Sequence, residues 1–264
     1  MIMSTCRLFL LDMDGTLYLG DDVIDGAIEF VNLLRNKSIK YIYLTNNSSR
    51  AGTDYVNRLH KLGFPCETED VFTSSMATIR FLHENHPGKK VFPVCTRAFE
   101  TELAAAGIEL CGEGADIVLV GFDTELSYDK LSKAVHFLRK GADFIAANPD
   151  FVCPMSGGEV LPDCGSICAL LTASTGAQPY YIGKPNRNMV DIISSMTGIP
   201  NGQIACVGDR LYTDIALAKN AGAVSVLVMS GETTKEMLAA SDIKPDFVFK
   251  DVKELGATIR SNSI

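Results

Sequence analysis

Apolar residues fall along the chain in short unbroken runs, separated by segments in which they recur every three or four positions. The runs are Leu8–Leu11, Tyr41–Leu44, Val91–Cys95, Ile117–Val120, Phe144–Ala147, Tyr180–Ile182, Ile204–Val207, Val224–Val228 and Phe247–Phe249. Several are apolar at every position rather than at alternate ones, as parallel strands covered on both faces are. Between them the spacing predicts helices over Ala27–Asn36, Asp54–Leu62, Ala98–Ala106, Tyr128–Arg139, Asn188–Met196 and Asp214–Ala221. Gly63, Gly107, Gly141, Gly198 and Gly222 stand where left-handed helix stops belong, and Ser127 and Thr213 where N-caps belong. Strand–helix alternation of this kind predicts an α/β fold on a mainly parallel sheet.

Composition narrows the function. The 264 residues carry a net charge of 24 − 32 = −8, which speaks against a main affinity for nucleic-acid phosphates. No apolar run approaches the roughly 18–20 residues of a membrane span, and Leu8–Leu11 is too short for a signal-peptide core. The expected compartment is the cytoplasm. The 8 cysteines form no Cys-x-x-Cys pair, and even Cys164 and Cys168, spaced i,i+4, read as buried thiols.

Polar residues gather where the runs end. Leu8–Leu11 is followed by Asp12-Met13-Asp14-Gly15-Thr16, two carboxylates that a strand period of two would set on one side. Ligands of open α/β sheets bind at this end of the strands. The second run leads into Thr45-Asn46-Asn47-Ser48, a hydroxyl and amides suited to phosphate oxygens. Gly183-Lys184-Pro185 aims a cation from a stiff loop, and Ile204–Val207 ends in Gly208-Asp209, with Asp214 close behind. Asp12, Asp14 and Asp209 are oxygen donors of the kind a hard cation such as Mg2+ prefers.

In order and context these four pieces resemble the motifs of the haloacid dehalogenase superfamily. Thr45-Asn-Asn-Ser48 and Gly183-Lys-Pro185 are similar to its NagD-like and 4-nitrophenylphosphatase branch, as are Ala147–Asp150 and Pro162–Gly165. The resemblance implies a Rossmann-like doubly wound parallel-sheet core with an inserted α/β cap. Spacing agrees: Asp12 to Thr45 is 33 residues, one strand–helix–strand unit, whereas Thr45 to Lys184 is 139. An insertion of about 100 residues fits a small domain. The expected division is 1–79 and 180–264 for the core and 80–179 for the cap.

The resemblance further implies a Mg2+-dependent phosphomonoesterase acting on small phosphorylated metabolites: nucleoside monophosphates, sugar phosphates or 4-nitrophenyl phosphate. Asp12 is then the nucleophile and forms an aspartyl-phosphate, and Asp14 is the acid and base. Thr45, Asn46 and Lys184 grip phosphate. Asp12, the Asp14 carbonyl and Asp209 bind the metal, with Asp214 orienting a water or Asp209 behind them. Asn148, Asp150 and Asp163 are the candidate substrate-selecting residues of the cap. Related caps sometimes mediate homodimers. A phosphotransferase or mutase would use the same motifs, and a non-catalytic metal-binding module is the alternative from another class. No Gly-x-Gly-x-x-Gly follows the first run, which argues against a dinucleotide enzyme.

Overall fold

The computed structural model describes residues 5–155 and 159–261. In chain order its first part contains β1 (Leu8–Leu11), β2 (Tyr18–Leu19), β3 (Asp22–Val23), α1 (Ala27–Asn36), β4 (Lys40–Thr45), α2 (Gly52–Lys61) and β5 (Val71–Thr73). There follow α3 (Ser74–Asn85), β6 (Val91–Val94), α4 (Arg97–Ala105), β7 (Ile117–Val120), α5 (Tyr128–Arg139) and β8 (Asp143–Ala146). Next come β9 (Val152–Pro154), β10 (Val160–Pro162), α6 (Cys164–Thr175) and β11 (Tyr180–Tyr181). The chain ends with α7 (Asn188–Thr197), β12 (Ile204–Gly208), α8 (Ala216–Ala221), β13 (Val224–Val228), α9 (Lys235–Ala240), β14 (Phe247–Phe249) and α10 (Val252–Ser261).

The elements group into two units. One comprises Met1–Thr45, Thr53–Phe72 and Lys184–Ile264, the other Asn46–Gly52 and Thr73–Gly183. The inserted unit therefore takes in α3 and the loop after β4, where the spacing of motifs had suggested 80–179.

The first unit is built on a six-stranded sheet of order β14-β13-β12-β1-β4-β5. β1 runs parallel to both β12 and β4, with Leu11 opposite Val207 on one side and Tyr43 on the other. Its continuous apolar run is explained by burial on both faces. Phe9 and Leu11 pack with Phe30, Val31 and Leu34 of α1 and with Val252, Leu255 and Ile259 of α10, while Leu8 and Leu10 are buried as well. The strand order reverses at β1, which places a crevice at the carboxyl ends of β1 and its neighbours.

The second unit has a four-stranded sheet of order β11-β8-β7-β6, parallel throughout, and a separate antiparallel β9–β10 pair. Phe92, Val94, Val118, Val120, Phe144 and Ala146 form its core with Phe137 and Leu138 of α5 and Ile167 and Leu171 of α6. Cys164 and Cys168 lie in this core as free thiols, and six of the eight cysteines are buried.

All nine apolar runs are strands, and all five glycine stops adopt positive φ, from +67° at Gly198 to +93° at Gly141. Ser127 caps α5 by accepting from the Lys130 N–H. Thr213 does not cap α8. The chain turns earlier, in a wide π-type turn over Leu211–Ile215, and Thr213 lies inside it. No helix among the described residues is long and apolar enough to cross a membrane.

Candidate active site

Three strand ends of the first unit converge. Asp12 follows β1 and its N–H donates to the Val207 carbonyl of β12 at 2.9 Å. Asp209 therefore stands beside it, one residue past the end of β12, and Thr45 closes β4 on the other side. β1 stops at Leu11, so the strand period does not carry through to Asp14. The chain instead folds back through Leu17 N–H to the Met13 carbonyl at 2.8 Å, leaving Asp12 partly buried and Asp14 exposed.

Lys184 enters this cluster from far along the chain. Its Nζ donates to Asp12 Oδ1 at 2.5 Å and to Asp214 Oδ1 at 2.7 Å, with the lysine almost wholly buried. Burial alone would lower its pKa, but Asp12 and Asp214 outweigh that and hold it well above its ordinary value. The π-type turn delivers Asp214: its carboxylate fills the space beside Gly208, where a Cβ would collide with it.

Asp12, Asp209 and Asp214 each place a carboxylate oxygen within 4.8 Å of the others. Burial raises the Asp12 pKa, and Asp214 and Asp209 raise it further, against the pull of Lys184. Asp209 is pushed up to about 6 by burial and by Asp214. Three carboxylates against one ammonium leave a formal local charge of 1 − 3 = −2 when all are ionised, the charge a divalent cation balances. Asp209 Oδ1 is moreover buried without a hydrogen-bond partner among the described residues. An unpartnered carboxylate oxygen among hard oxygen donors fits Mg2+.

The loop after β13 supports this cluster, although none of the four motifs includes it. The Glu232 N–H donates to Asp209 Oδ2 at 2.6 Å, Thr233 Oγ1 to the Asp209 carbonyl at 2.5 Å, and Ser230 Oγ to the Gly15 carbonyl at 2.8 Å. Ser230–Thr233 follows the apolar run Val224–Val228, so the polar-residue-at-strand-end signal that found Asp12 and Asp209 was present here too. Gly15 and Gly231 both press on Asp209, where any Cβ would overlap its carboxylate. Gly15 also adopts a φ of +86°, which disfavours any other residue there.

The remaining candidates lie in the second unit and bond to one another. Asn46 donates to Asp150 Oδ2 at 2.9 Å. Asn148 is fully buried, accepting from Ser48 Oγ and donating to Asp150 and to Asp163, each at 3.1 Å. Asp163 caps α6 through the Cys164 N–H.

This arrangement is that of an acid-rich hydrolase site at the carboxyl end of a parallel sheet. Residues 9–109 match the haloacid dehalogenase-like hydrolase family model and residues 181–255 a second, HAD-hydrolase-like model. An acid sugar phosphatase of Staphylococcus saprophyticus is 35% identical over 254 residues, 96% of this chain and 98% of that protein. The crystal structure of a 4-nitrophenylphosphatase from Thermotoga maritima superposes with a TM-score of 0.93 at 43% identity, covering 97% of this chain and 98% of that one. A glycerol phosphate phosphatase from Mycobacterium tuberculosis, solved in complex with magnesium, gives 0.89 at 30% identity, covering 97% and 78%. The chain belongs to the haloacid dehalogenase-like hydrolase family. Within it the chain is a phosphoric monoester hydrolase of the NagD-like branch.

Proposed function

We propose that this chain is a Mg2+-dependent phosphatase of small phosphorylated metabolites, sugar phosphates foremost, working through an aspartyl-phosphate on Asp12. The observation that carries the reading is the buried Lys184 bridging Asp12 and Asp214, beside an Asp209 oxygen that has no hydrogen-bond partner among the described residues. The acid sugar phosphatase and 4-nitrophenylphosphatase relatives support the substrate class.

In this reading Asp12 attacks phosphorus through a carboxylate oxygen while the bond from phosphorus to the leaving alkoxide breaks. Asp14, exposed and two residues further on, gives the alkoxide its proton. A water then attacks the aspartyl-phosphate, Asp14 takes its proton back, and the Asp12–phosphorus bond breaks to release phosphate. Lys184 and Thr45 hold the transferring oxygens, in a reaction governed by positioning and charge stabilisation. Asp12, Asp209 and the Asp14 carbonyl would hold Mg2+, with Asp214 fixing Lys184 and the Arg210 loop behind them. When bound, the cation supplies charge neutralisation that keeps Asp12 ionised and lets it approach an anionic ester.

We assign Asn46, Asn148, Asp150 and Asp163 to holding the second unit's loops together, since Asn46 and Asn148 both donate to Asp150 and Asn148 donates to Asp163 as well. Replacing Asp12 with Asn tests the central assignment. Hexose 6-phosphate turnover is expected to fall at least about 1,000-fold with the fold retained by circular dichroism. Near-normal turnover would overturn the assignment.

A further inference from the structure

The loop that carries Asp12 and Asp14 runs directly into a hairpin, β2 paired with β3. Each strand has two residues, and so short a hairpin has little stability of its own. Yet the catalytic loop leans on it. The Gly15 N–H donates to the Tyr18 carbonyl at 2.8 Å, and the Tyr18 N–H donates to the Met13 carbonyl at 3.2 Å. Gly15 in turn presses on Asp209, and its carbonyl accepts from Ser230 Oγ. Where Tyr18 stands therefore sets where the Asp14–Gly15 peptide stands.

Tyr18 and the hairpin tip are gripped by one side chain from α2. Arg58 lays its guanidinium over the Tyr18 ring, with Cζ 4.9 Å from the centroid. Its Nη2 donates to the Gly20 carbonyl at the tip at 2.7 Å and lies 3.9 Å from Asp21 Oδ1. The Tyr18 ring is fully buried, whereas Leu19 and Val23 on the hairpin are exposed. A planar guanidinium can stack on a ring and hydrogen-bond in its own plane at once, which an ammonium does less well.

We propose that Arg58 is a positioning residue for the phosphatase reaction, clamping the β2–β3 hairpin and thereby fixing Asp14 at the distance from Asp12 that proton transfer to the leaving group requires. The inference rests on the reading above, in which Asp14 is the acid. Its consequence is selective. Phosphate is held by Lys184 and Thr45, which the hairpin does not carry. Both esters are compared at saturating Mg2+, where a weakened hold of the Asp14 carbonyl on the cation is compensated. Under that condition phosphorylation of Asp12 by an ester with a good leaving group depends little on Arg58. An alkyl ester, whose leaving alkoxide must be protonated, depends on it strongly.

The experiment compares kcat/KM, which reports formation of the phosphoenzyme, for a hexose 6-phosphate and for 4-nitrophenyl phosphate. Arg58→Met is expected to lower the first about 10- to 100-fold and the second less than about 3-fold. Arg58→Lys, which keeps a cation for Tyr18 and a donor for Gly20, is expected to restore part of the loss. Asp21→Asn, altering only the exposed partner, leaves both values unchanged. Should Arg58→Met fail to fold, Arg58→Gln carries the same comparison. A proportional fall for the two esters, or no fall, overturns the positioning role. Asp14→Asn is measured alongside. If it shows the split and the Arg58 variants do not, the clamp is wrong; if Asp14→Asn itself shows no split, the acid assignment falls and the clamp with it.

Discussion

Lys184 and Asp12 stand 172 positions apart in the chain and meet in a hydrogen-bonded ion pair of 2.5 Å. Asp214 accepts from the same ammonium, so a single buried cation offsets two carboxylates. Removing it leaves both without compensation in a site that water barely reaches, and breaking a buried pair costs about 3–5 kcal/mol. Lys184→Met is therefore expected to lower the unfolding free energy by about that amount and turnover by at least about 100-fold. Urea denaturation and hexose 6-phosphate hydrolysis check the two effects separately. A variant as stable as the parent would show that the carboxylates are not charged together.

Gly231 illustrates how closely the cluster is packed. A Cβ there would lie 2.5 Å from Asp209 Cγ and 2.8 Å from its Cβ, with backbone on either side and no flexible chain end to give way. Gly231→Ala is expected to push the Asp209 carboxylate off its position and raise the Mg2+ concentration for half-maximal turnover about 10- to 100-fold. A magnesium titration of activity, with the melting temperature followed in parallel, measures it. An unchanged magnesium requirement would remove Asp209 from the metal site.

Cation binding should register without turnover as well. A ligand bound at 100 times its dissociation constant stabilises the folded state by about 2.7 kcal/mol. Mg2+ added after dialysis against chelator is expected to raise the melting temperature of the parent protein but not that of Asp209→Ala. Equal shifts in both would point to magnesium acting elsewhere.

Asp163 gives the second unit a pH dependence of its own. Burial pushes its carboxyl up to about 6 from 3.8, although the Cys164 N–H and Asn148 pull the other way. Between those values the folded protein holds a proton that the unfolded chain has released. Stability from this group is thus present below about pH 4 and is lost as pH rises through about 6, by about 2–3 kcal/mol in all. Asp163→Asn keeps an acceptor at the α6 N-terminus and is expected to remove this fall. Urea unfolding of the two proteins at about pH 4.5 and pH 6.5 tests it; parallel pH profiles would mean that Asp163 stays charged throughout.

Residue order and type were enough for nine of the ten strands in the two larger sheets (β5 is the exception), for the glycine helix stops and for the placing of Asp12 and Asp209 just past strand ends, because each depends on neighbours a few positions away. Continuous apolar runs report burial on both faces, and carboxylates at their ends report the open edge of the sheet. Local pattern failed where burial or brevity erases period. Helix α6 reads Cys-Gly-Ser-Ile-Cys-Ala-Leu-Leu, nearly apolar all round, and the strands of the β2–β3 hairpin have two residues each. Other features needed the tertiary structure. The bridge from Lys184 to Asp12 and Asp214, the support of Asp209 by Glu232 and Thr233, and the reach of Arg58 to Gly20 each join residues between 23 and 172 positions apart. Sequence spacing carries no distance across such gaps. The sheet order, with β12 and β4 on either side of β1, is what converts them into contacts.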